Sequence, residues 1–216
     1  MLNLDCEKRI FSRGVGLLGA LDEAGRGPLA GPVVAVCVVI NPKKHIDNHQ
    51  LRDVKDSKKM TENRREELFN FIYDFFDEVG VGICDHKTID RINVLEASFL
   101  AMKKAIGFVR TKPNYVILDG QHRIPNFSIS QEAIIKGDES VFSIASASII
   151  AKVTRDRIMR DMHELYPEYS FDQHKGYGTK LHLERLGQHG PCPIHRKSFR
   201  PVKSILAERQ RAHKYA

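Results

Sequence analysis

Short apolar runs and helix-spaced apolar positions alternate along this chain. Residues 16–21, GLLGAL, are wholly apolar and stop at Asp22, the pattern of a buried strand. Residues 33–40, VVAVCVVI, are rich in β-branched side chains and stop at Asn41-Pro42, which predicts a second central strand. Residues 43–60 read as a polar loop. Thr61 then predicts a helix N-cap, because Leu68, Ile72, Phe75 and Phe76 recur at helical spacing behind it. A third strand is predicted at 79–84 (VGVGIC), followed by a helix through Val94, Leu95, Phe99, Met102 and Ile106.

The second half continues the alternation. NYVILDG, residues 114–120, is an apolar strand running straight into Asp119 and Gly120, and 129–136 reads as another strand. Residues 140–162 predict a long helix, apolar nearly all round in VFSIASASIIAKV and charged in TRDRIMRDMHE; Pro167 ends it. Its small residues Ala145, Ser146, Ala147 and Ser148 suit close packing on a sheet. A glycine-rich loop, a helix over 179–188, a proline-broken stretch and a last basic helix follow. This order predicts an α/β fold with a mixed sheet flanked by helices, plus a C-terminal helical region. The division expected is a body over 1–165 and a basic helical region over 166–216.

Charge sharpens that division. Residues 1–151 hold 20 Lys+Arg and 20 Asp+Glu, whereas 152–216 hold 14 and 7, so the whole net charge of +7 lies in the last third. A basic region beside a neutral body points to a polyanion such as nucleic acid. No apolar run approaches membrane-spanning length, and the N-terminus has no basic segment leading into an apolar one, so no membrane partner and no secretion signal are expected. Four scattered cysteines without a Cys-x-x-Cys pair suit a reducing compartment, so a cytoplasmic protein is expected.

Two predicted strands end in acid, at Asp22-Glu23 and at Asp119, and a third acidic locus is Asp138-Glu139 before the long helix. If the first two strands are parallel neighbours, Asp22 and Asp119 converge at their carboxyl ends. Converging carboxylates repel one another and need a cation, and hard oxygen ligands suit Mg²⁺ or Mn²⁺. The alternative is that each acid merely caps a turn or helix. Gly25-Arg26-Gly27 offers an approachable backbone with one guanidinium. Lys58 in DSKKM and Tyr177 between two glycines in HKGYGT could meet phosphate and sugar or base. His182, His189, Cys192 and His195 raise zinc only weakly, since HGPCPIH lacks a paired-cysteine knuckle. A P-loop and a nucleophile elbow are both absent from the sequence.

Six blocks in order, DEAGRGPLAGPVVAV, DSKKMTENRREELF, ILDG, KGDESVFSIASASIIAKVTRDR, HKGYGTKLHLERL and PIHRKSFRPV, resemble bacterial ribonuclease HII over nearly the whole chain. Only about twenty residues precede Asp22, where type HIII enzymes usually carry an extra domain. The resemblance implies an RNase H-like fold and a divalent cation, Mn²⁺ or Mg²⁺, held by Asp22, Glu23, Asp119 and Asp138. It implies hydrolysis of the RNA strand of RNA–DNA hybrids and cutting 5′ of ribonucleotides in duplex DNA. Gly25, Arg26 and Gly27 fall on the family's Gly-Arg-Gly motif and Tyr177 on its junction-sensing tyrosine. Met60, Ser146 and the GQHRIP segment after Asp119 depart slightly from the family pattern. A monomer is expected. The rival readings are a DNA-only nuclease of the same fold and a non-catalytic nucleic-acid binding module.

Overall fold

The computed structural model describes residues 2, 4–44, 54 and 60–214. Its centre is a five-stranded mixed sheet of order β3-β2-β1-β4-β5, made of β1 (Leu18–Ala24), β2 (Val33–Ile40), β3 (Glu78–Cys84), β4 (Tyr115–Asp119) and β5 (Ser130–Ile134). The first three strands form an antiparallel meander, while β4 and β5 run parallel to β1. β2 is buried on both faces along its whole length, which is why it reads as an unbroken apolar run.

Strand alternation divides the core into two layers. Leu18, Ala20, Val36, Val38 and Ile117 face a layer built from α1 (Asp5–Phe11), α2 (Glu62–Phe75) and α6 (Phe142–Leu165). Leu21, Cys37, Val39, Val116 and Leu118 face α4 (Val94–Phe108), which follows the short α3 (His86–Ile92). Gly80 and Gly82 explain how closely α4 approaches β3. A Cβ on either would lie 2.1 Å from the Ala105 carbonyl oxygen or 2.0 Å from that of Ala101. The four cysteines are free, with Cys37 and Cys84 packed inside.

Two boundaries differ from the sequence pattern. β1 does not stop at Asp22: pairing with β2 carries it on through Asp22↔Val36, Glu23↔Ala35 and Ala24↔Val34, because β2 still offers main-chain partners there. The expected helix from 140 is instead a single turn, α5 (Gly137–Ser140), an extended Val141, and then α6. Glu7 of α1, buried, decides the restart by accepting from the Ser143 main-chain N–H at 2.9 Å and its hydroxyl at 2.7 Å. This carboxylate caps the helix from 136 residues away, so no local cap was legible. Three short helices, α1, α3 and α7 (Phe171–His174), carried no clear sequence signal. Elsewhere the chain ends as the pattern indicated: α8 (Lys180–His189) with Thr179 as its cap, and the basic α9 (Val202–Lys214).

Candidate active site

β1 and β4 pair in parallel up to Leu21↔Leu118, so Asp22 and Asp119 follow side by side at the strands' carboxyl ends. Alternation puts both on the face covered by α6. Ser148 and Lys152, one turn apart on α6, stand opposite. Together with Glu23, Gly25, Arg26, Gly27 and Tyr177 these residues line one cavity of about 290 Å³.

Asp22 is buried, and its carboxyl is pushed well above the ordinary range by desolvation first, then by the charges of Glu23 and Asp119. The Ser148 hydroxyl and the Glu23 main-chain N–H, the latter at 2.8 Å from Asp22 Oδ1, oppose that rise. Glu23 accepts from Arg26 Nη1 at 3.3 Å. Asp119 Oδ1 accepts from the main-chain N–H groups of Gly137 at 2.7 Å and Asp138 at 3.4 Å, which ties the end of β4 to the α5 turn. Asp138 is buried behind this contact and does not line the cavity.

Among the described residues no three His, Cys, Asp or Glu side chains are gathered into a metal-holding cluster. The donor set nevertheless fits a hard divalent cation: carboxylates only, one of them buried and raised by its acidic neighbours, a repulsion that a cation between them would reverse. Lys152 is ion-paired at 2.5 Å with Asp156, which is buried and also faces Arg65 at 3.8 Å. Burial lowers the Lys152 ammonium, and the Asp156 charge works against that.

Two buried arginines hold the Gly-Arg-Gly turn and the segment that follows it. Arg196 donates to the carbonyl oxygens of Gly25 (2.5 Å), Arg26 (2.9 Å), Gly31 (3.0 Å) and Pro32 (3.2 Å). Arg155 donates to Pro32, Ala30 and Lys175 carbonyls at 3.0, 3.1 and 2.9 Å. Burial and the neighbouring Arg155 push the Arg196 guanidinium down to about 9. Gly25 has φ +101° and lies over Arg155: a Cβ there would sit 2.2 Å from Arg155 Nε and 2.6 Å from the Pro32 carbonyl oxygen. The Tyr177 ring, 40% exposed, lies 3.8 Å from where a Gly27 Cβ would be. It is also within 5.8 Å of Lys152 Nζ and 5.7 Å of Arg155 Cζ, both measured to the ring centroid.

A model of the family described as Ribonuclease HII matches residues 18–202, which includes all of these groups. The chain belongs to the ribonuclease HII family. It is thus a ribonuclease H, an endonuclease. The ribonuclease HII of Caldanaerobacter subterraneus subsp. tengcongensis is 49% identical over 200 residues, 93% of this chain and 80% of that one. The ribonuclease H2 of Pyrococcus horikoshii OT3 superposes with a TM-score of 0.72 at 32% identity, over 90% of this chain and 99% of that one. Bst-RNase HIII in complex with Mn²⁺ shares the fold at a TM-score of 0.67 and 17% identity, over 93% of this chain and 73% of that one.

Within this ribonuclease HII chain, the structure brings Asp22, Glu23, Asp119, Gly25, Arg26, Gly27 and Tyr177 to one cavity and sets Asp138 just behind it. Lys58 lies outside the described residues. The sequence marks Ser148 only as a small packing residue and does not single out Lys152, Asp156, Arg155 or Arg196. Lys152 and Asp156 carried a faint signal, an i,i+4 pair where the apolar half of the helix turns charged. Arg155 and Arg196 carried none, because their partners are main-chain carbonyls far away in sequence.

Proposed function

We propose that the enzyme hydrolyses the RNA strand of RNA–DNA hybrids and cuts on the 5′ side of ribonucleotides embedded in duplex DNA, leaving a 3′-hydroxyl and a 5′-phosphate. The observation that carries this is the single cavity in which Asp22 and Asp119, on adjacent parallel strand ends, meet the Gly25-Arg26-Gly27 turn and Tyr177. Asp22, Glu23 and Asp119, with Asp138 behind them, would hold Mg²⁺ or Mn²⁺; Bst-RNase HIII, with the same fold, binds Mn²⁺. When bound, such ions supply an activated water and stabilise the leaving oxygen.

The remaining work falls to the chain's own side chains. Exposed main-chain groups of the turn and the Tyr177 hydroxyl are placed to hydrogen-bond a 2′-hydroxyl, the group that separates RNA from DNA at a given sugar. Lys152, aimed by Asp156, is placed to meet a phosphate, and the basic segment after residue 151 to track the backbone without reading sequence. The chain is read as a catalytic body over 1–165 and a substrate-gripping region over 166–216, a reading that the basic balance of the last third supports. All four cysteines are free, which supports a cytoplasmic site of action. Among the described residues no helix is long and apolar enough to cross a membrane.

Incubation with a DNA duplex carrying one ribonucleotide, with and without Mn²⁺, tests the reading. Metal-dependent cutting 5′ of that ribonucleotide is expected. Equal cutting of a ribonucleotide-free duplex would instead mark a DNA nuclease, and binding without cleavage under any metal a binding module.

A further inference from the structure

His182, His195 and Cys192 lie buried away from the acids and have no part in the chemistry above. They are hydrogen-bonded in a row. His182 Nδ1 lies 2.9 Å from the Tyr177 carbonyl oxygen, and its Nε2 lies 3.0 Å from His195 Nε2. The Cys192 main-chain N–H donates to His195 Nδ1 at 3.0 Å, with the Cys192 Sγ 3.1 Å from the same nitrogen.

The two ends fix every proton between them. A carbonyl oxygen only accepts, so His182 Nδ1 carries hydrogen and its Nε2 must accept. His195 Nε2 therefore donates, which leaves His195 Nδ1 free to accept from the Cys192 N–H. A chain that starts on a main-chain acceptor and ends on a main-chain donor has one consistent direction, and both imidazoles in it are neutral. Burial agrees, pushing His182 down to about 4 and His195 to about 3. His174 stacks on His182 at 4.3 Å and is tied the same way, Nε2 to the Tyr169 carbonyl and Nδ1 accepting from the Gly176 N–H.

The neighbour of His195 is Arg196, whose guanidinium holds the Gly25 and Arg26 carbonyls. Two adjacent residues thus reach the two halves of the sugar-contacting surface, His195 through His182 to Tyr177, and Arg196 to the glycine turn. We propose that His182 and His195 are positioning residues for ribonucleotide recognition, a directed hydrogen-bond chain that sets the spacing between Tyr177 and Gly25-Arg26-Gly27. This rests on the reading of Tyr177 as a sugar contact. Misplacing Tyr177 weighs most on a lone ribonucleotide, which must be seated in one register, and least on a hybrid, where every RNA-strand position offers a 2′-hydroxyl.

The test compares kcat/KM on duplex DNA with one ribonucleotide against kcat/KM on an RNA–DNA hybrid. His182→Phe, which removes the donor to Tyr177, is expected to lower that ratio tenfold or more, chiefly through KM on the single-ribonucleotide duplex. His182→Asn, whose amide nitrogen replaces Nδ1, is expected to stay within threefold of the parent. Tyr177→Ala should lower the ratio by itself, with no further fall when His182→Phe is added. If Tyr177→Ala leaves the ratio unchanged, the sugar-contact reading fails and the inference with it. If Tyr177→Ala lowers the ratio while His182→Phe lowers both rates in parallel or neither, the inference alone fails. Long-range ¹H–¹⁵N correlation on the unaltered enzyme gives a readout that needs no variant. His182 protonated at Nδ1 and His195 at Nε2 are expected, and the opposite tautomer on either overturns the chain.

Discussion

Arg196 Nη1 donates to the main-chain carbonyl of Arg26 at 2.9 Å, so a wholly buried arginine supports the backbone of one whose side chain is half exposed. The two guanidiniums divide their work: Arg196 saturates carbonyls inside, and Arg26 is left to reach Glu23 and the cavity. Arg196→Met would strip four carbonyl oxygens of this donor, those of Gly25 and Gly31 in buried bonds and those of Arg26 and Pro32 in partly buried ones. We expect a loss of about 3 kcal/mol, the scale for leaving buried polar groups unsatisfied, read as a lower urea midpoint at unchanged m-value. Arg196→Lys should recover only part, because one ammonium cannot span the fork. Full stability in Arg196→Met would show that the turn holds itself.

Asp22 carries a stability cost that its chemistry explains. Its carboxyl is raised by burial and by Glu23 and Asp119, so the folded state binds its proton more tightly than the unfolded chain does. The ionised form therefore weakens the fold at neutral pH, and the weakening fades as pH falls. Asp22→Asn is expected to raise the metal-free melting temperature, by roughly 2–4 °C for each kcal/mol relieved, while abolishing cleavage. Mn²⁺ at a hundred times its Kd should stabilise the parent by about 2.7 kcal/mol and the variant far less. A variant less stable than the parent without metal would contradict this account.

Lys152 separates two roles in one side chain. Its partner Asp156 keeps Arg65 when the lysine is gone, so Lys152→Met should change the melting temperature little. Loss of a phosphate contact should cost about 30-fold in kcat/KM, or about 2 kcal/mol, with Lys152→Arg retaining most activity. Steady-state rates on the single-ribonucleotide duplex decide it, and an unchanged rate in Lys152→Met would remove the lysine from the substrate site.

The buried imidazoles predict how the fold fails in acid. His182 and His195 have folded values near 4 and 3, below the ordinary 6.5, with desolvation the leading cause in both. Above pH 6.5 they are neutral in both states and contribute no pH dependence. Below it the unfolded chain takes up protons the folded one refuses, so stability falls by up to about 1.4 kcal/mol per pH unit per imidazole. Chemical denaturation from pH 7 to pH 4 should show this slope, reduced in His182→Asn. A flat profile would mean the imidazoles are more solvated than their burial indicates.

Much of this enzyme was written locally. The unbroken run of β2, the strand ending at Asp119 and the Thr61 and Thr179 caps each follow from a few neighbouring residues, because periodicity and capping are short-range effects. The acids and the Gly-Arg-Gly turn were legible for a related reason: charge at the end of an apolar strand and glycine around one arginine both stand out from their surroundings. What the chain could not announce was which distant groups answer them. The parallel register that sets Asp22 beside Asp119 depends on the sheet order. The α6 start depends on Glu7, and the support of the glycine turn and of the segment after it on Arg196 and Arg155. The last two bond to main-chain atoms, which are the same at every residue, so no side-chain pattern marks the pairing. Sequence determined most of the elements and the candidate groups of the site; the tertiary structure alone decided their spacing, since that is set by contacts between residues far apart along the chain.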